Sequence, residues 1–569
     1  MSDLYERHLP RLDAAWEACL LRHAHSPFPE LPARYPGSEA AVARGREVFQ
    51  ARLGAPFQVD QPGTRDRVGE EISPYTQEPL GITYPRAELD KLFEAAERAV
   101  EGWRDAGWQA RVGALMEGVE RLYARVFEVV FAVMHTAGQS FNMAYAGSGV
   151  NALDRAIEAL AHARHAMAQI PASARWERPF GRDTVRLEKS YRISPRGVAV
   201  CFACASFPTW NAWPSMMASL ATGNAVIVKP HPAAVLPMAL TVEVLREALA
   251  GAGFAPDLVT LAVDTQGEPI GKELVTHPRA AIVDFTGGAA VGGWVEKNAP
   301  PRPCFTETAG LNTVVLESCE DLDAVLRSLA TTLCLFSAQM CTSPQNIYLP
   351  SGGVRVGPEG RLAGPEEVGE RLASAIDALV SEPRRAGMIA AAIQSPRTLE
   401  MLRALEVEGA ARGRVLRASR PYTHPEFPAA RTATPLVLGV TTAERDMYGE
   451  ERFGPVSFVV SAGDRGEALA HAARDVRERG GITAFLYSTD EAYISRAEDA
   501  YARAGAQLTI NLTGPMPLNF AAAYSDYHVT GLNPAGNASL TDAAFVAGRF
   551  RITQSRRPVV EPRSTPQNR

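Results

Sequence analysis

Apolar residues recur every three to four positions along most of the first 170 residues. Leu9, Leu12 and Trp16 share one face of such a pattern near the N-terminus. A Pro-rich passage and a turn-rich passage then interrupt the pattern before it resumes at residue 87. The spacing predicts a helical N-terminal extension over residues 1–60 and a further group of helices over residues 87–170.

From about residue 196 the pattern changes to short apolar runs separated by helical spacing. Residues 198–205 and 225–228 are continuous apolar runs, and a further strand is expected over residues 281–285. Such runs suit strands that are buried on both faces, and their alternation with helices indicates a parallel, doubly wound sheet. The alternation recurs after residue 307 and again around 455–500, so the predicted fold class is α/β.

Composition limits the classes of protein that fit this pattern. A chain of 569 residues predicts two or three domains, and 46% hydrophobic with 21% charged residues is ordinary for a globular protein. A net charge of −6 gives no reason to expect nucleic acid or an anionic membrane as a partner. There is no run of about 20 apolar residues, and the charged N-terminus is unlike a secretory signal. Seven scattered cysteines suit a reducing compartment, so we expect a cytoplasmic protein.

Two positions beside predicted strands are candidates for binding a nucleotide. Lys229 ends a buried apolar strand, and parallel sheets bind ligands beyond the carboxyl ends of their strands. The glycine-rich turn 285–292 joins a strand to a helix, whose free backbone N–H groups can bind a pyrophosphate. Read alone, Lys229 also fits a lysine that points to solvent. The turn also fits a plain tight connection, because the usual G-x-G-x-x-G spacing is absent.

Two reactive side chains stand among small and polar neighbours. Cys341 lies in Phe-Ser-Ala-Gln-Met-Cys-Thr-Ser, where a turn or helix start is expected to lower the pKa of its thiol. Glu307 lies in Cys-Phe-Thr-Glu-Thr-Ala-Gly, a stretch expected to raise its pKa toward that of a general base. A buried structural cysteine and a capping glutamate are the alternative interpretations. The Cys201-x-x-Cys204 pair is interpreted as strand packing, and because no second pair completes a site, no metal is predicted.

Five short motifs stand in one order along the chain: Lys229 in Ile-Val-Lys-Pro, Phe285-Thr-Gly287, Glu307-Thr-Ala-Gly310, Cys341, and Glu451-Arg-Phe-Gly-Pro455. Cys341 follows Glu307 by 34 residues. In identity, order and spacing these motifs resemble those of the aldehyde dehydrogenase superfamily. The resemblance covers roughly residues 80–550 of the chain.

The resemblance implies an α/β fold with a Rossmann-type cofactor domain, an α/β catalytic domain and a small oligomerisation flap. The flap is expected to combine a hairpin near residues 175–195 with a C-terminal strand near 545–553. The expected order along the chain is the extension 1–60, the cofactor domain 61–306, the catalytic domain 307–508, a return to the cofactor domain and flap 509–554, and a flexible tail 555–569.

The same resemblance implies roles for single residues. Cys341 is the expected nucleophile that attacks an aldehyde, and Glu307 is expected to activate the water that hydrolyses the resulting thioester. Hydride is expected to pass to NAD or NADP, and the Cys341 backbone N–H is one expected donor to the oxyanion. The residues expected to bind the cofactor are Lys229, Gly267, Phe285, Thr286, Gly287, Gly288, Glu451 and Phe453.

Two positions depart from the family's pattern. Ser206 stands where the family has the asparagine that supplies the second oxyanion donor, and Asn211 lies five residues out of register. Ser206 is therefore the predicted donor. Loss of a well-aimed donor typically raises the barrier by about 2.7–4 kcal/mol, so we expect a slower enzyme, a relocated donor or altered chemistry. Pro232 stands where many NAD-using members have a glutamate that repels a 2′-phosphate, which shifts the expectation slightly towards NADP.

A closer resemblance concerns Val68-Gly-Glu-Glu-Ile-Ser-Pro-Tyr and the following Leu80-Gly-Ile-Thr-Tyr-Pro, which look like the PaaN branch associated with phenylacetate degradation. It implies a semialdehyde from aromatic ring cleavage, or its CoA thioester, as substrate. The family resemblance implies a homodimer or homotetramer, with specificity set by loops around 140–150 and 515–530. Two alternatives stay open: transfer of the acyl group to coenzyme A, and a catalytically weak member kept as a structural or binding subunit.

Overall fold

Helices and short strands alternate along most of the chain in a computed structural model that describes residues 2–308, 310–528, 530–533 and 542–559. The helices are α1 (Ser2–Leu21), α2 (Ser38–Arg52), α3 (Leu89–Asp105), α4 (Gly107–Ala124), α5 (Val126–Ala137), α6 (Phe141–Tyr145), α7 (Ala152–Ala168), α8 (Pro208–Ala221), α9 (Leu236–Gly251), α10 (Gly271–Thr276), α11 (Ala289–Asn298), α12 (Leu322–Cys334), α13 (Pro365–Val380), α14 (Pro383–Ile389), α15 (Pro396–Arg412), α16 (Arg445–Tyr448), α17 (Arg465–Arg479), α18 (Glu491–Ala504) and α19 (Ala543–Ala547). The strands are β1 (Thr64–Val68), β2 (Tyr84–Ala87), β3 (Ser173–Phe180), β4 (Asp183–Pro195), β5 (Val198–Phe202), β6 (Ala225–Lys229), β7 (Val259–Leu261), β8 (Ala280–Gly287), β9 (Cys304–Thr308), β10 (Asn312–Leu316), β11 (Ser318–Cys319), β12 (Pro344–Pro350), β13 (Val354–Val356), β14 (Arg361–Ala363), β15 (Arg414–Arg417), β16 (Leu436–Thr441), β17 (Val456–Ala462), β18 (Thr483–Tyr487), β19 (Gln507–Ile510) and β20 (Phe550–Pro558).

A five-stranded parallel sheet, in the order β7-β6-β5-β8-β9, forms the first α/β layer. Every residue of β5, β6 and β7 is buried, because helices pack against these apolar strands. The parallel doubly wound sheet predicted from the apolar runs is confirmed. The sheet includes β9, which pairs with β8 and contains Glu307. The first sheet therefore continues past the boundary predicted at residue 306.

A seven-stranded sheet forms the second α/β layer, in the order β15-β16-β17-β12-β10-β18-β19. Its strands run parallel except at the edge, where β15 pairs antiparallel to β16. Two separate apolar clusters pack around this sheet. The class α/β is thus confirmed for both layers, and Cys341 lies just before β12 of the second layer.

A three-stranded antiparallel sheet, in the order β20-β4-β3, forms a largely exposed flap. The hairpin predicted near residues 175–195 is present as β3 and β4. The C-terminal strand differs from the prediction, because it spans Phe550–Pro558 rather than 545–553. Ser555 to Pro558 pair with residues 187–190 of β4, so they belong to the strand and not to the predicted tail. Residues 560–569 of that tail lie outside the described residues.

The N-terminal extension contributes two helices to the largest apolar core. Helix α1 packs on α4 and α7 through buried residues that include Leu12 and Ala15, and α2 packs on α5. Helix α5 is strongly apolar but only 12 residues long, and it is buried among its neighbours. Within the part of the chain that the structure describes, no helix combines the length and apolarity needed to cross a bilayer.

The C-terminal segment returns to the first sheet through Arg549. This side chain is fully buried and donates two hydrogen bonds to the carboxylate of Asp284 on β8, at 2.8 and 2.6 Å. The guanidinium also lies 4.3 Å from the ring centroids of Phe305 and Phe545. A bidentate arginine–carboxylate pair of this kind fixes orientation as well as position. Residues near 549 therefore form part of the same layer as β8.

Candidate active site

A strained turn presents Cys341. Helix α12 ends at Cys334, and Phe336, Ser337 and Ala338 follow with φ values of +49°, +50° and +52°. Three consecutive side-chain-bearing residues in the left-handed region cost roughly 1–3 kcal/mol each, so surrounding contacts must hold them. One such contact is the Ser337 hydroxyl, which donates to the carbonyl oxygen of Ala390 at 2.9 Å. Such stored strain is typical of functional sites.

The carboxylate of Glu307 is the centre of a buried hydrogen-bond network around Cys341. Nε2 of His528 donates to Oε1 of Glu307 at 2.7 Å, and the amide of Asn211 donates to Oε2. The same Nε2 lies 3.6 Å from Sγ of Cys341. Glu307 is 4% exposed and His528 is 1% exposed. The structure therefore brings together Cys341 and Glu307, as predicted from their spacing, and adds two partners.

The pKa shifts of the two predicted catalytic groups run opposite to the sequence-based expectations. Burial alone would raise the pKa of Glu307, but the charge and hydrogen bond of His528, with hydrogen bonds from Cys341 and Asn211, hold it below the ordinary value. Burial, and then the nearby Glu307 carboxylate, raise the pKa of the Cys341 thiol well above its usual range. Both expectations were wrong because each considered the local turn or stretch without the partners that the fold supplies.

Ser206 and Asn211 are both candidates for the second oxyanion donor. The Ser206 hydroxyl lies 3.9 Å from Sγ of Cys204 and borders the same cavity as Cys341. Asn211 lies in the first turn of α8 and reaches the site directly, since its amide binds Glu307. Ser206 as the donor stays a prediction, and Asn211 is the candidate for a relocated donor. Cys204 lies beyond the end of β5, so only Cys201 of the pair packs inside the strand.

His528 is a site residue that was not predicted from the sequence, and it lies in a segment held in place by α7. The buried guanidinium of Arg155 pairs with Glu158 at 2.8 Å and donates to carbonyl oxygens of residues 521–526. Oε1 of Glu158 accepts a hydrogen bond from the backbone N–H of Tyr524 at 2.9 Å. A lone histidine without a spacing motif gives no sequence signal. Its location within the loop predicted around 515–530 is the one hint that the sequence offered.

A groove of about 890 Å³ runs from Cys341 across the carboxyl ends of the first sheet. Seven of the eight residues predicted to bind a cofactor line it: Lys229, Phe285, Thr286, Gly287, Gly288, Glu451 and Phe453. The eighth, Gly267, is exposed on the loop after β7, and only its neighbours Pro269 and Gly271 reach the groove. Backbone hydrogen bonds of this loop to Asp264 and Glu70 keep Gly267 outside.

The groove meets the requirements of a dinucleotide. The backbone N–H groups of the first turn of α11 have no intrahelical partner, and Gly288 precedes that turn with open space where a Cβ would lie. Gly292 packs so close to Thr308 that a Cβ there would lie 2.2 Å from its methyl group. This close approach holds α11 against β9 and directs the helix N-terminus at the groove. Burial raises the pKa of Glu451, which also lines the groove, to about 7.

A buried ion pair lies beneath the groove. Nζ of Lys229 is 2.7 Å from Oδ1 of Asp264, which follows the carboxyl end of β7. Desolvation beside the groove and the charge of Lys229 lower the pKa of His231, although this residue is exposed. The imidazole is therefore neutral at pH 7. Asp264 balances the charge of Lys229. Lys229, Asp264 and His231 together therefore give this region of the groove no net positive charge.

A second cavity, of about 370 Å³, meets the first at Cys341, Asn211 and Phe207. Parts of both segments predicted to set specificity border it, residues 143–151 and 517–528. The N-terminal extension contributes Glu30 and Leu31 to its wall. That extension is anchored beside the cavity, since the Tyr145 hydroxyl donates to the Pro29 carbonyl oxygen at 2.8 Å. Cys341 thus lies where a cofactor-sized groove and a separate cavity join.

Two clusters of the described residues bring three possible metal ligands within 4.8 Å of one another. The first is Glu307, Cys341 and His528, whose members are already bound to one another as described. The second is Cys19, Glu158 and His162, buried beside Arg155, where Glu158 is paired with that arginine and burial raises the pKa of Cys19 to about 12. Existing partners occupy the carboxylate in each case, which disfavours a metal ion in either.

Two α/β layers, a cysteine and glutamate at their junction and a dinucleotide groove beside them define a class of enzyme. A family model described as the aldehyde dehydrogenase family matches residues 62–519, and the chain belongs to this family. It is similar to the crystal structure of an NAD-dependent aldehyde dehydrogenase from Burkholderia multivorans, with 42% identity, a TM-score of 0.94, and coverage of 98% of this chain and 99% of that one.

More distant relatives share the family with different names. A 1-pyrroline-5-carboxylate dehydrogenase of Halalkalibacterium halodurans is 23% identical over 86% of this chain and 92% of its own length. A protein of the same name from Bacillus licheniformis is 28% identical over 48% of this chain, and the match spans only 52% of that relative. The substrate and partners of this chain are therefore matters for proposal.

Proposed function

We propose that the protein oxidises an aldehyde to a carboxylic acid through a thioester on Cys341, with NAD or NADP as the hydride acceptor. The observation that carries the proposal is the position of Cys341. Its thiol contacts the Glu307 network exactly where the dinucleotide-sized groove meets the second cavity. A substrate in that cavity and a cofactor in the groove would therefore both reach the same sulfur.

The chain's own groups supply the acylation step. Sγ of Cys341 bonds to the aldehyde carbon, and its proton passes to the carboxylate of Glu307, which lies within 4.8 Å of the sulfur. The Cys341 backbone N–H and the side chain of Ser206 or Asn211 are the proposed donors to the oxyanion. The carbonyl re-forms as a thioester when the former aldehyde hydrogen leaves with its bonding electrons. When bound, the oxidised nicotinamide supplies the acceptor for that hydride.

Glu307 also carries the hydrolytic step. After it returns the first proton to solvent, its carboxylate takes a proton from water as the water oxygen attacks the thioester carbon. The carbon–sulfur bond then breaks, which releases the carboxylic acid and restores Cys341. The partners that lower the pKa of Glu307 keep it ionised at neutral pH and hence able to accept a proton.

The reaction class is tested by the product. We expect turnover of a simple aldehyde with NAD to release the free carboxylic acid at the same rate with and without coenzyme A, because Glu307 supports hydrolysis. Mass spectrometry of the product and NADH absorbance check this. Formation of an acyl-CoA in place of the acid would support the coenzyme A-acylating alternative, and the absence of any NADH would support a structural or binding role.

We propose NAD as the preferred cofactor. The expectation of a shift towards NADP depended on Pro232, which offers no carboxylate. Asp264 supplies a carboxylate from the adjacent strand end, 2.7 Å from Lys229. It can accept a hydrogen bond from a ribose hydroxyl, and it opposes a 2′-phosphate by like charge while it balances the Lys229 cation. The neutral His231 adds no compensating positive charge.

Replacement of Asp264 by asparagine should raise the affinity for NADPH relative to NADH by about 10–100-fold, since a like-charge contact costs a few kcal/mol. Dissociation constants from quenching of intrinsic fluorescence measure this without any turnover. Glu268→Gln is the matched control, because Glu268 is exposed on the same loop, pairs with Arg86 and lies outside the groove lining. An unchanged preference in Asp264→Asn, or equal preference in the unmodified protein, would contradict the assignment.

The finer biological assignments rest on resemblance. The match of the segment near residues 68–85 to the PaaN branch supports a semialdehyde from aromatic ring cleavage, free or as its CoA thioester. The exposed β20-β4-β3 flap supports assembly into a homodimer or homotetramer, because an uncovered sheet edge readily pairs with another copy. All seven cysteines are free, which is in keeping with a cytoplasmic location.

A further inference from the structure

The second cavity has a wall chemistry that restricts what reaches Cys341. We infer that it selects an uncharged aldehyde whose apolar chain carries one neutral hydrogen-bonding group, such as an ester carbonyl or a hydroxyl. The inference rests on the proposed oxidation of an aldehyde at Cys341. It concerns only the part of the substrate that lies within the cavity of about 370 Å³, and of the two forms of the semialdehyde proposed above it favours the thioester over the free carboxylate.

The walls are apolar and contain no cation to receive an anionic substrate. Met143, Trp210, Leu335, Met340 and Phe520 form much of the lining. Among the described residues that line the cavity there is no lysine and no arginine. The charged groups at hand are acidic or already bound: Glu30 at the wall, and His528, whose Nε2 donates to Glu307. A substrate carboxylate would be buried without a partner and close to the Glu307 anion, which is strongly unfavourable.

One polar side chain in the wall has no partner of its own. Asn519 is 3% exposed, and neither its Oδ1 nor its Nδ2 has a hydrogen-bond partner among the described residues. Buried amides are nearly always satisfied, and an unsatisfied one in a native structure calls for an explanation. A bound molecule supplies one, because the amide can both donate to a carbonyl oxygen and accept from a hydroxyl. Since the amide is neutral, it favours a neutral group over a carboxylate.

Three aldehydes of similar length separate these effects: methyl 4-oxobutanoate, hexanal and 4-oxobutanoate. We expect kcat/KM for the methyl ester to exceed that for hexanal by about 3–10-fold, the effect of one net hydrogen bond. We expect 4-oxobutanoate to be at least about 30-fold poorer than the ester, because its carboxylate is desolvated without a cation. A preference for 4-oxobutanoate over its ester would overturn the inference.

The variant Asn519→Leu tests the polar contact. The ester should lose its advantage over hexanal, so that the ratio of their kcat/KM values falls to about 1, and the melting temperature should not fall, since no hydrogen bond of the free protein is removed. Equal losses for the ester and hexanal would show that Asn519 acts on the fold, and would overturn its proposed role.

Alkylation of Cys341 tests the selectivity of the second cavity without requiring dehydrogenase activity. The neutral reagent iodoacetamide should modify it faster than anionic iodoacetate, by at least about 10-fold more than the ratio for the same cysteine in the denatured chain. Mass spectrometry locates the adduct. Equal ratios would overturn the inference even if no aldehyde is oxidised. Selective alkylation without oxidation of any of the three aldehydes would instead reject the proposed function and retain the uncharged cavity.

Discussion

Replacement of Cys341 by alanine should lower aldehyde-dependent NADH formation by at least about 10³-fold, the scale seen when a catalytic nucleophile is removed. The side chain lies where the groove and the second cavity join, and its thiol is 3.6 Å from Nε2 of His528, which donates to Glu307. No other cysteine of the described chain borders both cavities. Stopped-flow absorbance should show neither a burst nor a steady state of NADH in the variant.

The matched control is Cys304→Ala. Cys304 is half-buried at the start of β9 and lines neither cavity, so its loss should leave the rate within about 2-fold. The raised pKa of Cys341 adds a signature, because its thiol should react slowly with iodoacetamide at neutral pH and faster as the pH rises. Full activity in Cys341→Ala with a loss in Cys304→Ala would exclude the assigned nucleophile.

Replacement of Glu307 by glutamine should impair both steps of the proposed reaction, the acylation of Cys341 and the hydrolysis of the thioester. The steady-state rate should fall by about 10²–10⁴-fold, the usual contribution of a general base, because no carboxylate remains to activate water. If acylation survives, one equivalent of NADH per subunit appears in a burst, and intact mass spectrometry detects an acyl group on Cys341. If the burst is lost as well, Glu307 is also the acceptor of the thiol proton.

The pH dependence of thioester hydrolysis gives a second reading of Glu307. The carboxylate acts as a base only when ionised, and His528 and Asn211 hold its pKa below the ordinary value. Hydrolysis should therefore persist as the pH falls to the ordinary glutamate range and decline only below it. Single-turnover decay of the acyl-enzyme measures this step alone. Unchanged turnover in Glu307→Gln would contradict its role as base.

The order of motifs was enough to predict the α/β fold and to pair Cys341 with Glu307. Lys229 and the residues 285–287 lie at the carboxyl ends of β6 and β8, and the parallel sheet brings these ends together. The same order placed Lys229 and the turn 285–288 in one groove, as the structure shows.

The groups around these motifs were harder to predict. His528 and Asn519 belong to a segment whose position depends on Arg155 and Glu158, about 370 residues earlier in the chain. The pKa of Glu307 is lowered by His528 and Asn211, and the pKa of Cys341 is raised by burial and by Glu307. Because these partners are distant in sequence, both pKa shifts were predicted with the wrong sign. The proposed role of Asp264 could not be predicted from the family pattern, since Asp264 follows β7 and the pattern places a carboxylate after the neighbouring β6.

The pair between Arg549 and Asp284 has a consequence for the order in which the protein can be made. The two residues are 265 positions apart, and a buried carboxylate that lacks its partner costs several kcal/mol. During translation the strands of the first sheet are therefore synthesised well before Arg549, the counter-ion of Asp284 on β8. Almost the entire chain must therefore be synthesised before this layer reaches full stability.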